Sequence, residues 1–180
     1  PSADEIVIEL DPGAAFGTGA HATTAMCLRW LEHLVSPGMR VYDVGCGSGI
    51  LAVAAAKLGA GEVIAMDYDP VAVSVAEENI RQNNVHNVVA CESDLLSACE
   101  GAAPAELITA NIIADIIIRL FAQLDRHLAP GGTLLASGII DDRIAGVEHA
   151  AAEHGFTVLD MTCEKEWAAM IIRRTSDLKN

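Results

Sequence analysis

Three glycines at alternate positions, Gly45, Gly47 and Gly49, follow directly on the run Val41-Tyr42-Asp43-Val44 and lead into the apolar segment Ile50–Ala56. A strand that enters such a loop and leaves it as a helix brings bare backbone up to a ligand, because no side chain stands between the peptide groups and the bound molecule. The spacing is Gly-x-Gly-x-Gly, whereas dinucleotide-binding turns use Gly-x-Gly-x-x-Gly. Asp67 closes a second apolar run 22 residues after Gly45, at the place where doubly wound folds put an acidic residue on ribose hydroxyls. A carboxylate there can accept both hydrogens of the diol. Nicotinamide cofactors carry the same diol, so Asp67 predicts a ribose without choosing between cofactors. Ser93-Asp94 follows a third run and Asn111 a fourth.

Other chemistries lack their residues. The sequence shows no Ser/His/Asp set, no paired catalytic carboxylates and no metal-ligand spacing, so no metal is expected. Five cysteines, odd in number and scattered, form neither a disulfide framework nor a zinc motif, which makes a reducing cytoplasm the expected compartment. The formal charge of −14, from 25 acidic and 11 basic residues, argues against direct contact with nucleic acid and favours a cationic partner. No apolar stretch approaches the ~20 residues needed to cross a bilayer, and no basic segment followed by an apolar one opens the chain.

These residues need a scaffold that gathers strand ends. The 180 residues are 52% hydrophobic and 4% aromatic, enough for one domain with a core of Ala, Val, Ile and Leu. Alternating signals predict a strand at Val7–Leu10, a glycine-rich loop, a helix at Ala22–Val35, a strand at Arg40–Val44 and a helix at Ile50–Leu58. A strand at Glu62–Met66 then leads to a helix capped by Asp69 with Pro70 at its first position. Strands at Asn87–Cys91 and Leu107–Ala110, a helix at Ile113–Leu128, a strand at Thr133–Ser137 and a helix from Asp141-Asp142 follow. Two strands close the chain, Thr157–Met161 and Ala168–Arg173. The expected fold is α/β, a doubly wound, mainly parallel seven-stranded sheet with a final antiparallel strand and its ligand outside the carboxyl ends of the strands.

The loop resembles the glycine-rich motif of class I S-adenosylmethionine-dependent methyltransferases, whose fold is Rossmann-like. Further motifs narrow the resemblance: Leu10-Asp11-Pro12-Gly13, Phe16-Gly17-Thr18-Gly19, His21 and Thr23-Thr24, then Asp43-x-Gly-Cys-Gly-Ser-Gly-Ile-Leu51, Asp67-Tyr68-Asp69-Pro70, Asn111-Ile112-Ile113-Ala114 and Ser137-Gly138-Ile139. In this order, from Leu10 to Arg173, the chain is similar to the PrmA-type methyltransferases of large-subunit ribosomal protein eleven. The resemblance departs at Ala22, where the family commonly has Pro, and the family's small N-terminal substrate-recognition domain has no counterpart in residues 1–180. Residues 1–20 read instead as a strand and the glycine-rich loop.

The resemblance implies S-adenosylmethionine as cofactor, with contacts from Thr24, Gly45, Gly47, Asp67 and Asn111, and adenine recognition by Asp94, which equally suits an ordinary loop aspartate. It implies methyl transfer to amino nitrogens, lysine or N-terminal, of a basic ribosomal protein, with Asn111 accepting a hydrogen from the incoming amine. Asn111 also suits a helix N-cap. Thr24, in the first turn of a helix, suits the cofactor carboxylate or a simple cap. Phe16 offers a cation–π face to the sulfonium or a core plug, and His21 a base or a loop hydrogen bond. A methyltransferase for another protein or a small molecule, or a cofactor-binding module without activity, remain open alternatives, and the sequence leaves the oligomeric state open.

Overall fold

A computed structural model describes residues 6–10 and 21–178. Within them the helices are α1 (Ala22–Leu34), α2 (Ile50–Lys57), α3 (Pro70–Gln82), α4 (Ala114–His127) and α5 (Ile144–Glu153). The strands are β1 (Arg40–Val44), β2 (Glu62–Asp67), β3 (Val88–Glu92), β4 (Ala105–Asn111), β5 (Leu128–Ile140), β6 (Phe156–Glu164) and β7 (Trp167–Arg174). They form a seven-stranded sheet in the order β3-β2-β1-β4-β5-β7-β6. All neighbours from β3 to β5 pair in parallel, and β7 runs antiparallel to both β5 and β6. The expected antiparallel strand is present, inserted between β5 and β6.

Period-two alternation explains the two cores. Tyr42, Val44, Met66, Ile108, Ala110, Leu134 and Ala136 face one side, where Ile117, Leu120, Phe121 and Leu124 of α4 cover them with Val147 of α5. Val41, Val63, Ala65, Leu107 and Leu135 face the other, under Cys27 and Leu31 of α1, Leu51 and Val53 of α2 and Ile80 of α3. A parallel sheet buried on both faces gives the near-continuous apolar strands seen in the sequence.

The expected strand at Val7–Leu10 does not form. Residues 6–10 join no ladder, and side chains instead take backbone groups of Val7 and Glu9. Asn83 accepts from the Glu9 amide and donates to the Glu9 carbonyl, and Lys57 Nζ donates to Val7 O. The helix expected from Asp141 opens as a 3-10 turn, Asp141–Arg143, and becomes α-helical at Ile144. Among the described residues no helix is long and apolar enough to cross a membrane.

Candidate active site

The alternation that separates the cores also gathers the polar strand ends. Asp43, Asp67, Thr109, Asn111 and Ser137 lie an even number of residues from Val41, Val63, Leu107 and Leu135, so all five fall on the sheet face beneath α1 and α2. Strand order reverses between β1 and β4. At that point the helices leave to opposite sides and a crevice opens beyond the carboxyl ends. Thr24, Asp43, Gly47, Asp67, Asn111 and Trp167 line a cavity of about 440 Å³ there.

The glycine loop forms its floor. Gly45 has φ +68°, and a Cβ there would overlap Ile112 Cγ2, so only glycine fits without displacing the β4–α4 turn. The Gly47 amide donates to Asp67 Oδ2 at 2.9 Å, and the Asp69 amide donates to Asp67 Oδ1 at 3.0 Å. Each carboxylate oxygen thus holds one backbone hydrogen and keeps a lone pair for a ligand. Asp69, not Asp67, caps α3, accepting from the Val71 amide at 2.9 Å. Asn79 Nδ2 donates to Ser48 O at 2.8 Å and braces the loop from α3.

Gly45 also borders a second cavity of about 450 Å³, lined by Tyr68, Ser93, Asp94, Leu95, Ile112 and Arg119 on the α4 side. Asp94 lines it, and Arg119 lies 3.6 Å from its carboxylate. An elongated ligand crossing the edge of the sheet at Gly45 would occupy both cavities.

Asp43 is the residue that sequence reasoning missed. It is 1% exposed; Thr109 Oγ1 donates to its Oδ1 at 2.7 Å, and Oδ2 has no hydrogen-bond partner. Burial pushes its carboxyl up to about 6, opposed by the Thr109 hydrogen bond and reinforced by the charge of Asp67. The signal was an acidic residue inside an otherwise apolar strand. Such a residue is rarely buried unless something compensates it.

Asn111 ends β4, and its Nδ2 donates to Thr24 Oγ1 at 3.3 Å. Ile113, not Asn111, occupies the N-cap of α4, so the capping role does not apply. Thr24 is buried in the first turn of α1, whose N-cap is His21. His21 Nδ1 accepts from the Thr23 amide and lies 2.9 Å from Thr23 Oγ1. With Nδ1 accepting, the neutral ring carries its hydrogen on Nε2, so capping rather than proton abstraction is what the geometry supports. Trp167, also missed, packs edge-on against His21 with ring centroids 5.2 Å apart. Its position on β7 beside the cavity depends on strand order, which its sequence neighbourhood does not encode. Phe16 lies outside the described residues.

The model of the family described as ribosomal protein L11 methyltransferase (PrmA) matches residues 1–175. The chain belongs to this family. It is 52% identical over 174 residues to a ribosomal protein L11 methyltransferase of Caldanaerobacter subterraneus subsp. tengcongensis, covering 97% of this chain and 55% of that protein. It is 49% identical over 175 residues to a protein of the same name from Heliobacterium modesticaldum, again with 97% and 55% covered. The chain therefore spans about half the length of the curated relatives it matches. A crystal structure of ribosomal protein L11 methylase from Lactobacillus delbrueckii subsp. bulgaricus superposes with a TM-score of 0.88 at 38% identity, covering 95% of this chain and 86% of that one. A precorrin-6y C5,15-methyltransferase from Geobacter metallireducens shares the fold at 15% identity, with a TM-score of 0.76 over 90% and 94% of the two chains. The fold of this PrmA family member is the class I methyltransferase fold, Rossmann-like, with the antiparallel strand at one end.

Proposed function

We propose that the protein transfers methyl groups from S-adenosylmethionine to amino nitrogens, on lysine side chains or an N-terminal amine, of a basic large-subunit ribosomal protein in the cytoplasm. One cavity carries this reading, because it joins a cofactor cradle at Gly45, Gly47 and Asp67 to an acceptor, Asn111 Oδ1, whose companion nitrogen is already engaged by Thr24. The residues present fit the cofactor. The partnerless Asp43 Oδ2 suits an ammonium group, the free lone pairs of Asp67 suit a ribose diol, and Asp94 across Gly45 suits an adenine amino group. Membership of the PrmA family supports the substrate class, and the net charge of −14 suits a basic partner. The five cysteines are unpaired, which accords with a reducing compartment.

When bound, S-adenosylmethionine supplies a methyl group already activated by its positive sulfur. The protein then has mainly to orient the nucleophile. Asn111 Oδ1 accepts one hydrogen of the amine and fixes its direction, while Thr24 keeps the amide from rotating. With Nδ1 of His21 committed to its cap, the amine gives its proton to solvent before it is methylated. Neutrality at pH 7 costs a lysine about 4.6 kcal/mol and an α-amine about 1.1 kcal/mol, from pKa values near ~10.4 and ~7.8. Asn111 favours an amine as nucleophile because it accepts a hydrogen without taking a proton.

Calorimetry with S-adenosylmethionine and with NAD tests the cofactor assignment, and labelled-methyl transfer to the ribosomal protein tests the reaction. Tight binding of NAD alone would refute the reading, as would a wild-type protein saturated with S-adenosylmethionine that labels no amine.

A further inference from the structure

Ser137 joins more of the site than any line of sequence around it suggests. It is fully buried on β5, level with Asn111 in the β4–β5 register. Its backbone carbonyl accepts the Ile112 amide at 3.0 Å, so it anchors the residue that follows Asn111. Its single hydroxyl hydrogen is shared between two carbonyls, Ala168 O on β7 at 3.2 Å, adjoining Trp167, and the longer Thr23 O in the first turn of α1 at 3.5 Å, adjoining Thr24. The Cys27 thiol, on the next turn of α1, is buried beside Ser137, and that burial pushes it up to about 12, so it stays protonated.

The local backbone makes this possible. The β5–β7 register shifts between Ser137 and Ile139, and Gly138 takes up the extra residue at φ +82°. An irregularity of this kind bends the strand and re-aims nearby side chains. One hydroxyl is thereby placed where α1, β5 and β7 meet, and each neighbouring element contributes a residue to the cavity: Thr24 from α1, Asn111 from β4 and Trp167 from β7.

We infer that Ser137 is a positioning residue for methyl transfer: by tying the first turn of α1 to β7 beside the end of β4, it sets the Thr24–Asn111 hydrogen bond and hence the direction of Asn111 Oδ1. Ser137 touches neither substrate nor cofactor. Its influence passes through the 3.3 Å contact between Asn111 Nδ2 and Thr24 Oγ1. This inference rests on the amine-methylating reading above.

The test is Ser137→Ala, with Ser137→Cys as a second variant that keeps a weak donor should the alanine protein not fold. One readout needs no turnover. In nitrogen-15 spectra of the protein alone, the Asn111 side-chain amide resonances, assigned by their loss in Asn111→Ala, are expected to shift and to exchange faster with solvent in Ser137→Ala. The second is a double-mutant cycle. Ser137→Ala is expected to lower kcat about ten-fold in the wild-type background and less than two-fold in the Asn111→Ala background, with S-adenosylmethionine affinity within about three-fold throughout. Unmoved Asn111 resonances would overturn the inference, and so would equal losses in both backgrounds or an unchanged kcat. A wild type that labels no amine would refute the functional reading itself, whereas an active wild type with an indifferent Ser137→Ala would refute only this inference.

Discussion

Asn111 donates through Nδ2 to Thr24 Oγ1 at 3.3 Å, linking the end of β4 to the first turn of α1 across 87 positions of sequence. An amide held by its nitrogen presents its oxygen in one direction, so the contact converts a strand-end asparagine into an oriented acceptor. Neither residue could do this alone, because a free Asn side chain rotates about its terminal torsion.

Asn111→Ala should therefore lower kcat by about ten- to a hundred-fold, the loss expected for a hydrogen bond used in the transition state. Affinity for S-adenosylmethionine should fall much less. Steady-state kinetics beside calorimetry decide it, and parallel losses would reduce Asn111 to a cofactor contact.

Asp67 accepts the Gly47 and Asp69 amides and retains lone pairs toward the cavity. Removing its carboxylate takes away two hydrogen bonds to a charged acceptor, worth ~1.5–3 kcal/mol each before water compensates. Asp67→Ala should weaken S-adenosylmethionine binding about ten- to a hundred-fold. Circular dichroism should show the fold intact, since Asp69 supplies the α3 cap, and unchanged affinity would remove Asp67 from the site.

Asp43 sets function against stability. Its folded pKa, about 6, lies above the ordinary 3.8, so the folded state holds the proton more tightly than the unfolded state does. Stability should fall as pH rises from about 4 to about 6, reaching a penalty of about 3 kcal/mol that persists at higher pH. Asp43→Asn removes that penalty. Its melting temperature at pH 7.5 should exceed that of the wild type, and S-adenosylmethionine should bind it more weakly because the ammonium loses its acceptor. In the wild type, cofactor affinity should decline below about pH 6. Melting curves and titrations across pH 4.5–8 check each sign, and a destabilised Asp43→Asn that binds cofactor normally would contradict the assignment.

A Cβ on Gly138 would come within 2.5 Å of Ile112 O at a φ of +82°. The conformation alone costs alanine ~1–2 kcal/mol, and the clash bears on the residue after Asn111. Gly138→Ala should lower the melting temperature by several degrees, at ~2–4 °C per kcal/mol for a chain of this size, and should lower kcat as well. Wild-type values in both would show that this turn does not position Asn111.

Much of this was legible because the signals are local. The Asp69-Pro70 cap and the glycines of the β1–α2 loop depend on residues a few positions apart, so β1, β2 and α3 fall where the sequence places them. Asp67 and Asn111 were legible as strand ends for the same reason. Val7–Leu10 misled because its apolar character is real, yet Asn83 and Lys57 take backbone groups that a ladder would use. Trp167 and Ser137 reach the site through the pairing of β7 with β5, which brings Ser137 to Ala168 across 31 positions of sequence. Asp43 stands in the glycine motif, but its meaning lies in Thr109 from another strand and in an oxygen left without a partner.

Mass spectrometry of the ribosomal protein after incubation with S-adenosylmethionine reads methyl transfer to nitrogen without an intermediate step of interpretation. Because the chain spans about half the length of its curated relatives, the assay should pair it with a form extended to that length. We expect methyl groups on amino nitrogens of the substrate, fewer with the 180-residue chain than with the longer form and strongly reduced by Asn111→Ala. A substrate left unmodified by both forms at saturating cofactor, or one methylated only on oxygen, sulfur or carbon, would rule out transfer to amino nitrogen.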